Sequence, residues 1–480
     1  MAMLHKLEKP LLYCCSRRLI SPWTLLMLAP HFKLAASATT LRTEILAGVT
    51  TFATMAYIIF VQPVVLGAAG MDQGAVFTST CVVTALSTVF MALLANYPVA
   101  VAPAMGHNFF FAYIVVLTMK TTWQAALGAV FISGLIFVAT SSFGLRERIV
   151  NAVPESLKCA IAAGIGLLIT LIGMEWAGLV RLDPNTLVTL GHLDSKPVIV
   201  ALLGLLTTIV LMARGVKGAI LIGVITAAVV GIPLGVVKAP AGVVSLPPSM
   251  AATAFKLDVI GAIKQGLFSI IFIFFFLDLF DTVGSLIGIA KQAGLVKDGK
   301  LPRVGRALFA DALGTVSSAL AGNTTVVSYI ESAAGVAAGG RTGAAALVTA
   351  ALFLAALFFS PVVSAVSGGF PAQEVIQVGG REVVHGFVLY PVTSPALIVV
   401  GSLMIRAVKD IDWDDFSEAL PAFLTIVLTP LTFSITDGMA VGFISYALLK
   451  VVTGRGREVH WLIYVFAALF LLRYAAPGLR

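Results

Sequence analysis

Between residues 44 and 453 the chain is a succession of apolar blocks, most of them about 17–25 residues long, parted by short polar loops. That length suits a helix that crosses a bilayer, and the blocks lack the strict alternation that barrel strands would show. Only 11% of the 480 residues are charged and 59% are hydrophobic, against about 25% charged in an average soluble domain. A polytopic all-α membrane protein follows, because no stretch is long and polar enough for a separate soluble domain. The net charge of +8 does not imply a nucleic-acid partner, since the basic residues sit in short loops where they act as topology signals.

Candidate spans fall at roughly 44–65, 75–95, 104–118, 121–141, 155–176, 197–213 and 216–232. After a loop rich in Pro and Val come 263–286, 306–321, 326–339, 342–364, 390–407, 418–434 and 436–453. With the N-terminus inside, the predicted inner loops hold Arg146, Arg148, Lys158, Arg214, Lys217, Lys291, Lys297, Lys300, Arg303 and Arg306. Further along they hold Arg341, Arg406, Lys409, Lys450, Arg455 and Arg457, whereas the outer loops carry only scattered basics such as Lys120, Arg181, Lys238 and Arg381. The bias predicts fourteen spans with both termini cytoplasmic. A last apolar stretch, 461–475, is expected at the interface or as a re-entrant segment. Residues 1–36 read as a cytoplasmic extension, an interfacial helix or an upstream start. Cys14 and Cys15 are adjacent, Cys81 and Cys159 fall in apolar blocks, and no metal-ligand spacing appears; no cofactor is expected.

The stretch IIFIFFFLDLFDTVGS (270–285) sets two carboxylates, Asp278 and Asp281, inside an otherwise apolar helix. Spacing i, i+3 places them near one face. An ionised Asp at mid-bilayer costs about 2.5–3.5 kcal/mol on insertion scales and normally faces a cavity or substrate path. The structural alternative makes one Asp an interhelical hydrogen-bond partner and leaves the other at the headgroups. Two further segments, YPVAVAPAMGHNFFFAY (97–113) and LAGNTTVVSYIESAAG (320–335), are short and interrupted, and sit at corresponding places in the two halves. Paired broken segments point to a transporter's mid-membrane site. Two seven-span halves, an odd number each, must be inverted relative to one another.

Half-helices expose N–H groups and a positive dipole end. Around them the sequence places Asp278, Asp281, Glu331, Asn108, His107, Thr324, Thr325, Ser328 and Tyr329, with Phe52, Phe109, Phe110, Phe274 and Phe275 near in sequence. Carboxylates accept from N–H donors, an amide does both, and aromatic rings stack on flat ones. The set suits a planar, uncharged, hydrogen-bonding heterocycle; an anion would call for Arg or Lys at a span centre. Asn108 also fits a helix cap, His107 fits a capping or orienting role better than a binding one, and the phenylalanines serve mostly as packing.

The motifs TLRTEILAGVTTFATMAYIIFVQP (40–63), APAMGHN (102–108), GIGLLITLIG (164–173), FFFLDLFDTVGS (274–285) and NTTVVSYIESAAG (323–335) resemble the AzgA-type purine permeases. These are a branch of the nucleobase–cation symporter (xanthine/uracil permease) superfamily, and the likeness covers about residues 32–475. It implies a seven-plus-seven inverted repeat with a core domain, 37–142 and 251–365, and a gate domain, 143–250 and 366–457. Residues 1–36 and 458–480 then flank that unit. It also implies proton-coupled uptake of hypoxanthine, guanine or adenine across the cell (inner) membrane, by alternating access between core and gate, rather than enzymatic chemistry. A homodimer is compatible with such a fold. Carried over by position, Asp278 and Glu331 hold the base, Asn108 is the polar residue of the third span, and Asp281 serves folding or proton coupling. Thr325, Phe52 and Tyr329 complete the expected binding set; Asp278, Asp281 and Glu331 are the expected proton carriers. One position departs from the family pattern: His107 stands where an apolar residue is expected. Burial disfavours the charged form of a carboxylic acid, so protonation from outside would prepare the site for the base.

Two rivals remain at this point. An anion carrier of the same architecture predicts a cationic site. An intramembrane prenyltransferase would use DLFD as half of a magnesium-binding motif, but needs a second Asp-rich motif. The only other acidic cluster, DIDWDD (410–415), is expected at a cytoplasmic span end.

Overall fold

A computed structural model describes residues 32, 34, 37, 39–142, 152–183, 186–293, 302–378 and 381–475. Cys14, Cys15, Arg146, Arg148, Lys297 and Lys300 lie outside these, as does nearly all of the 1–36 extension. Among the described residues eight helices are long and apolar enough to cross a membrane, and shorter apolar helices cover Met105–Thr118, Ala219–Gly231, Phe416–Leu431 and Trp461–Leu472.

The first half opens with α1 (Leu41–Met55) and α2 (Ile58–Ala68), then α3 (Gln73–Phe90). Thr40 and Asp72 cap α1 and α3, each accepting a backbone N–H three residues on. Asn96 turns left-handed (φ 53°) and ends that hairpin. The chain then runs through β1 (Val101–Pro103) and α4 (Met105–Phe109), which continues in wider π-helical turns to Thr118. Next come α5 (Trp123–Ser142), α6 (Glu155–Ala177), the hairpin β2 (Val180–Asp183) and β3 (Leu187–Leu190), α7 (Lys196–Ala213) and α8 (Ala219–Gly231).

The second half follows a like order. A short α9 (Val259–Lys264) leads into α10 (Phe268–Gln292) and α11 (Val304–Leu320), and then into β4 (Val326–Ser328) and α12 (Ser332–Ala337). After these come α13 (Gly343–Ala356), α14 (Ser360–Val366) and the hairpin β5 (Phe370–Val378) and β6 (Arg381–Leu389). The chain closes with α15 (Ser394–Met404), α16 (Phe416–Leu431), α17 (Ile435–Val452) and α18 (Trp461–Ala475). The two hairpins meet where the Arg181 guanidinium lies 4.2 Å over the Phe387 ring.

At the centre the two interrupted segments pair with each other. β1 and β4 run antiparallel in the register Val101↔Ser328, Ala102↔Val327 and Pro103↔Val326. The ladder extends through Ala104 N–H to Thr325 O and Tyr329 N–H to Ala100 O, both 2.9 Å. Backbone groups in an apolar interior must be satisfied within the protein, and here each broken segment satisfies the other before turning helical.

The halves are also joined at Glu44, a buried carboxylate on α1. It accepts the backbone N–H groups of Arg341 (2.9 Å), Thr342 (3.3 Å) and Ala345 (3.1 Å) at the start of α13. Gly48, one turn on, lets α1 and α13 approach; a Cβ there would lie 2.5 Å from Ala345 O.

The C-terminal segment packs back onto the bundle. α18 runs antiparallel along α17: Tyr464 OH donates to Gly456 O, Phe466 and Phe470 pack on Phe443, and Tyr474 OH donates to Asp437 Oδ1 at 2.7 Å. Phe466 also packs on Phe272 and Phe276 of α10, at ring distances of 5.8 and 5.1 Å. A ready-made aromatic groove between α17 and α10 thus draws the helix inward, and it returns to the level at which α17 begins.

Candidate functional site

α10 carries both acids, but its neighbours divide them. Three helical residues turn about 300°, leaving about 60° between the two side chains, enough for different surroundings. Asp278 is buried against α11, where Thr315 Oγ1 donates to its Oδ2 at 3.3 Å. One turn further Thr282 Oγ1 donates to Asp311 Oδ2 at 2.8 Å, so α10 and α11 exchange acid and hydroxyl reciprocally. Asp281 looks elsewhere. Its side chain is 27% exposed, its Oδ2 lies 3.9 Å from His107 Nδ1 on α4, and it is within Coulombic reach of Glu331. Asp281 thus acts on Glu331 electrostatically.

Glu331 sits half-buried between β4 and α12. Tyr57 OH donates to its Oε1 at 2.6 Å, and Thr54 Oγ1 donates to its backbone carbonyl at 3.3 Å. Tyr329 is buried, donates to Pro103 O at 2.6 Å, and lies within Coulombic reach of both Glu331 and Asp281. The hydroxyls of Thr325 and Ser328, flanking and within β4, are buried and make no hydrogen bond among the described residues; neither does either ring nitrogen of His107.

Asn108 has a different setting. Its amide donates to Gln62 Oε1 and its oxygen accepts from Thr324 Oγ1. Gln62 Nε2 donates to Asn323 Oδ1 at 2.7 Å, and Asn323 Nδ2 donates to Ser79 and Thr80 at 3.0 and 2.9 Å. This buried network ties α2, α3, α4 and the approach to β4 together.

The phenylalanines pack. Phe52 meets Phe353 edge-on at 5.1 Å, Phe110 meets Phe274 at 5.2 Å, and Phe275 meets Phe137 at 5.7 Å. Phe109 stacks on Tyr113 and touches Trp176, both at 5.8 Å. A crevice of about 10 Å³ lies between α4 and α6, lined by Phe109, Phe110, Tyr113, Leu168, Ile172 and Ile435. That is room for about one water, so the walls are closed together here.

The family model Xan_ur_permease, a permease family, matches residues 42–370. The chain belongs to this permease family. A guanine/hypoxanthine permease of Bacillus subtilis is 44% identical over 447 residues, covering 91% of this chain and 97% of that protein. An adenine permease of Escherichia coli is 40% identical over 448 residues, covering 93% and 96%. Among solved structures, the transmembrane domain of a cyanobacterial bicarbonate transporter superposes with a TM-score of 0.59 at 16% identity, covering 84% of this chain and 97% of that one. The fold is thus shared with anion transporters, while sequence kinship lies with the nucleobase permeases.

Four polar residues of the permease escaped the sequence reading: Glu44, Gln62, Asp311 and Asn323. Each is fully buried. A lone carboxylate in an apolar span is itself a signal, and Asp311 in the small-residue run ADALG met that criterion.

Proposed function

We propose that this permease carries purine nucleobases (hypoxanthine, guanine and adenine) inward together with a proton, by alternating access between core and gate. The observation that carries the reading is that Glu331, next to the β1–β4 ladder, is held by the Tyr57 hydroxyl and lies within Coulombic reach of Asp281. A carboxylate held by a single phenol keeps acceptor capacity for the N–H groups of a purine. Asp281 and Glu331 within Coulombic reach disfavour double ionisation, which suits a proton taken up with the base. Glu331, Tyr329 and Thr325 are the proposed grips on the ring. Asp278 acts at the contact between α10 and α11, Asn108 through the amide network, and Phe52 as an apolar wall. The relatives named for guanine, hypoxanthine and adenine support the substrate class.

The finer architecture belongs to the same reading: fourteen spans in an inverted repeat, with 37–142 and 251–365 as core and 143–250 and 366–457 as gate. The antiparallel crossing of the two half-spans supports it. The test is uptake of labelled hypoxanthine into cells lacking their own purine carriers, with unlabelled guanine, adenine, xanthine and uracil as competitors. Saturable uptake, stimulated by an inward proton gradient and blocked by purines, is expected. Uptake absent at normal membrane levels, or indifferent to every purine, overturns it.

A further inference from the structure

His107 is 1% exposed and neither ring nitrogen makes a hydrogen bond among the described residues. An unsatisfied buried polar group costs about 1–3 kcal/mol, and a ring with two such atoms calls for a partner. Asp281 is the nearest acid, with Oδ2 3.9 Å from Nδ1. Closing that gap by about 1 Å makes a normal hydrogen bond.

We propose that His107 is a positioning residue for Asp281: in the substrate-bearing state Nδ1–H donates to the Asp281 carboxylate and sets the pH range over which that acid takes and releases its proton. The inference rests on the proton-coupled reading above. At 1% exposure His107 lies behind Asp281, which is 27% open, so its influence passes through the carboxylate. Among the described residues, Glu331 and Tyr329 from the β4–α12 segment act on Asp281 electrostatically, with Tyr57 joined to Glu331. From α6 and α17 the neighbours at the adjoining Gly106 are Ile165 and Ile435, both apolar. The imidazole is thus the nitrogen base set against two acids that repel each other when ionised.

The experiment measures labelled-hypoxanthine uptake against external pH in proteoliposomes for the wild type, H107L and H107N. An N–H aimed at a carboxylate favours its ionised form. H107L is therefore expected to move the pH of half-maximal uptake upward by about one unit, with KM for hypoxanthine changed less than about threefold. H107N, whose amide nitrogen occupies the place of Nδ1, is expected to restore the wild-type profile. Purine counterflow at fixed pH reports that each variant is folded, and H107M replaces H107L if the latter does not reach the membrane. An unchanged profile in H107L or H107M overturns the inference. So does a raised KM with the profile unmoved, which would put His107 on the purine itself. A wild type that takes up purine equally at every pH removes proton coupling instead, and one that takes up none removes the purine reading.

Discussion

Tyr57 and Glu331 come from opposite halves of the chain, yet the Tyr57 hydroxyl donates to Glu331 Oε1 across 2.6 Å. The bond fixes one of the two carboxylate oxygens. A hydrogen bond to a charged group contributes about 1.5–3 kcal/mol. Y57F is expected to raise KM for hypoxanthine about 10–100-fold with membrane levels unchanged, and E331Q to abolish saturable uptake. Initial-rate kinetics beside immunoblots check both.

The reciprocal exchange between α10 and α11 gives Asp278 and Asp311 one threonine donor each. D278N keeps shape and is expected to collapse uptake while the protein still reaches the membrane. T315V removes one donor to Asp278 and is expected to lower stability by about 1 kcal/mol, read as the melting temperature in detergent.

Glu44 holds three backbone N–H groups at the head of α13. E44A leaves those donors without an acceptor in a dry interior, at about 1–3 kcal/mol; E44Q, which still accepts, is expected to lose less. Thermal unfolding followed by size-exclusion fluorescence separates the two.

At the far end of α16 and α17, Asp415 accepts from Ser417 and from Arg455 Nη1 at 2.5 Å, and Lys450 stands between Asp415 and Glu418 at 3.5 and 2.8 Å. The Ser417 hydroxyl and then the Arg455 guanidinium hold the Asp415 carboxyl well below its usual range. A lowered folded-state value means the contribution is complete above the unfolded value of about 3.9 and is lost as pH falls below it. The melting temperature is expected to drop on acidification from pH 5 towards 3, and D415N to flatten that part of the curve.

The antiparallel course of α18 brings Tyr474 back to Asp437 at the start of α17, away from Arg455; if α18 spans the bilayer, its end lies on the outer side. A reporter that is active only outside the cytoplasm, fused after Arg480, is expected to be active, while one inserted at Gly454 is expected to be silent. The reverse pattern would return the C-terminus to the cytoplasm and undo the crossing.

Much of this was legible from one dimension. The apolar blocks announce the spans, Asp278, Asp281 and Glu331 stand out because charge in a membrane helix demands a reason, and the two interrupted segments mark themselves by Pro, Gly and polar residues. What three-residue strands pair with was not legible, since β1 and β4 are too short to show a period and are more than 200 residues apart. The different surroundings of Asp278 and Asp281 depend on α11, and Glu44 meets its partners only because α13 returns beside α1. The path of α18 rests on Phe272, Phe276 and Phe443, and a 15-residue apolar stretch does not disclose that groove.

The stitching of β1 to β4 has a mechanical corollary. Its backbone bonds lie in a dry interior with no solvent to replace them, where each broken one costs several kcal/mol. Separating the two half-spans would break several such bonds at once, so β1 and β4 behave as one mechanical unit. The proposed movement of core against gate then has to be taken up outside the ladder, and the ring contact of Phe109 with Trp176 along α6 is the seam we propose for it.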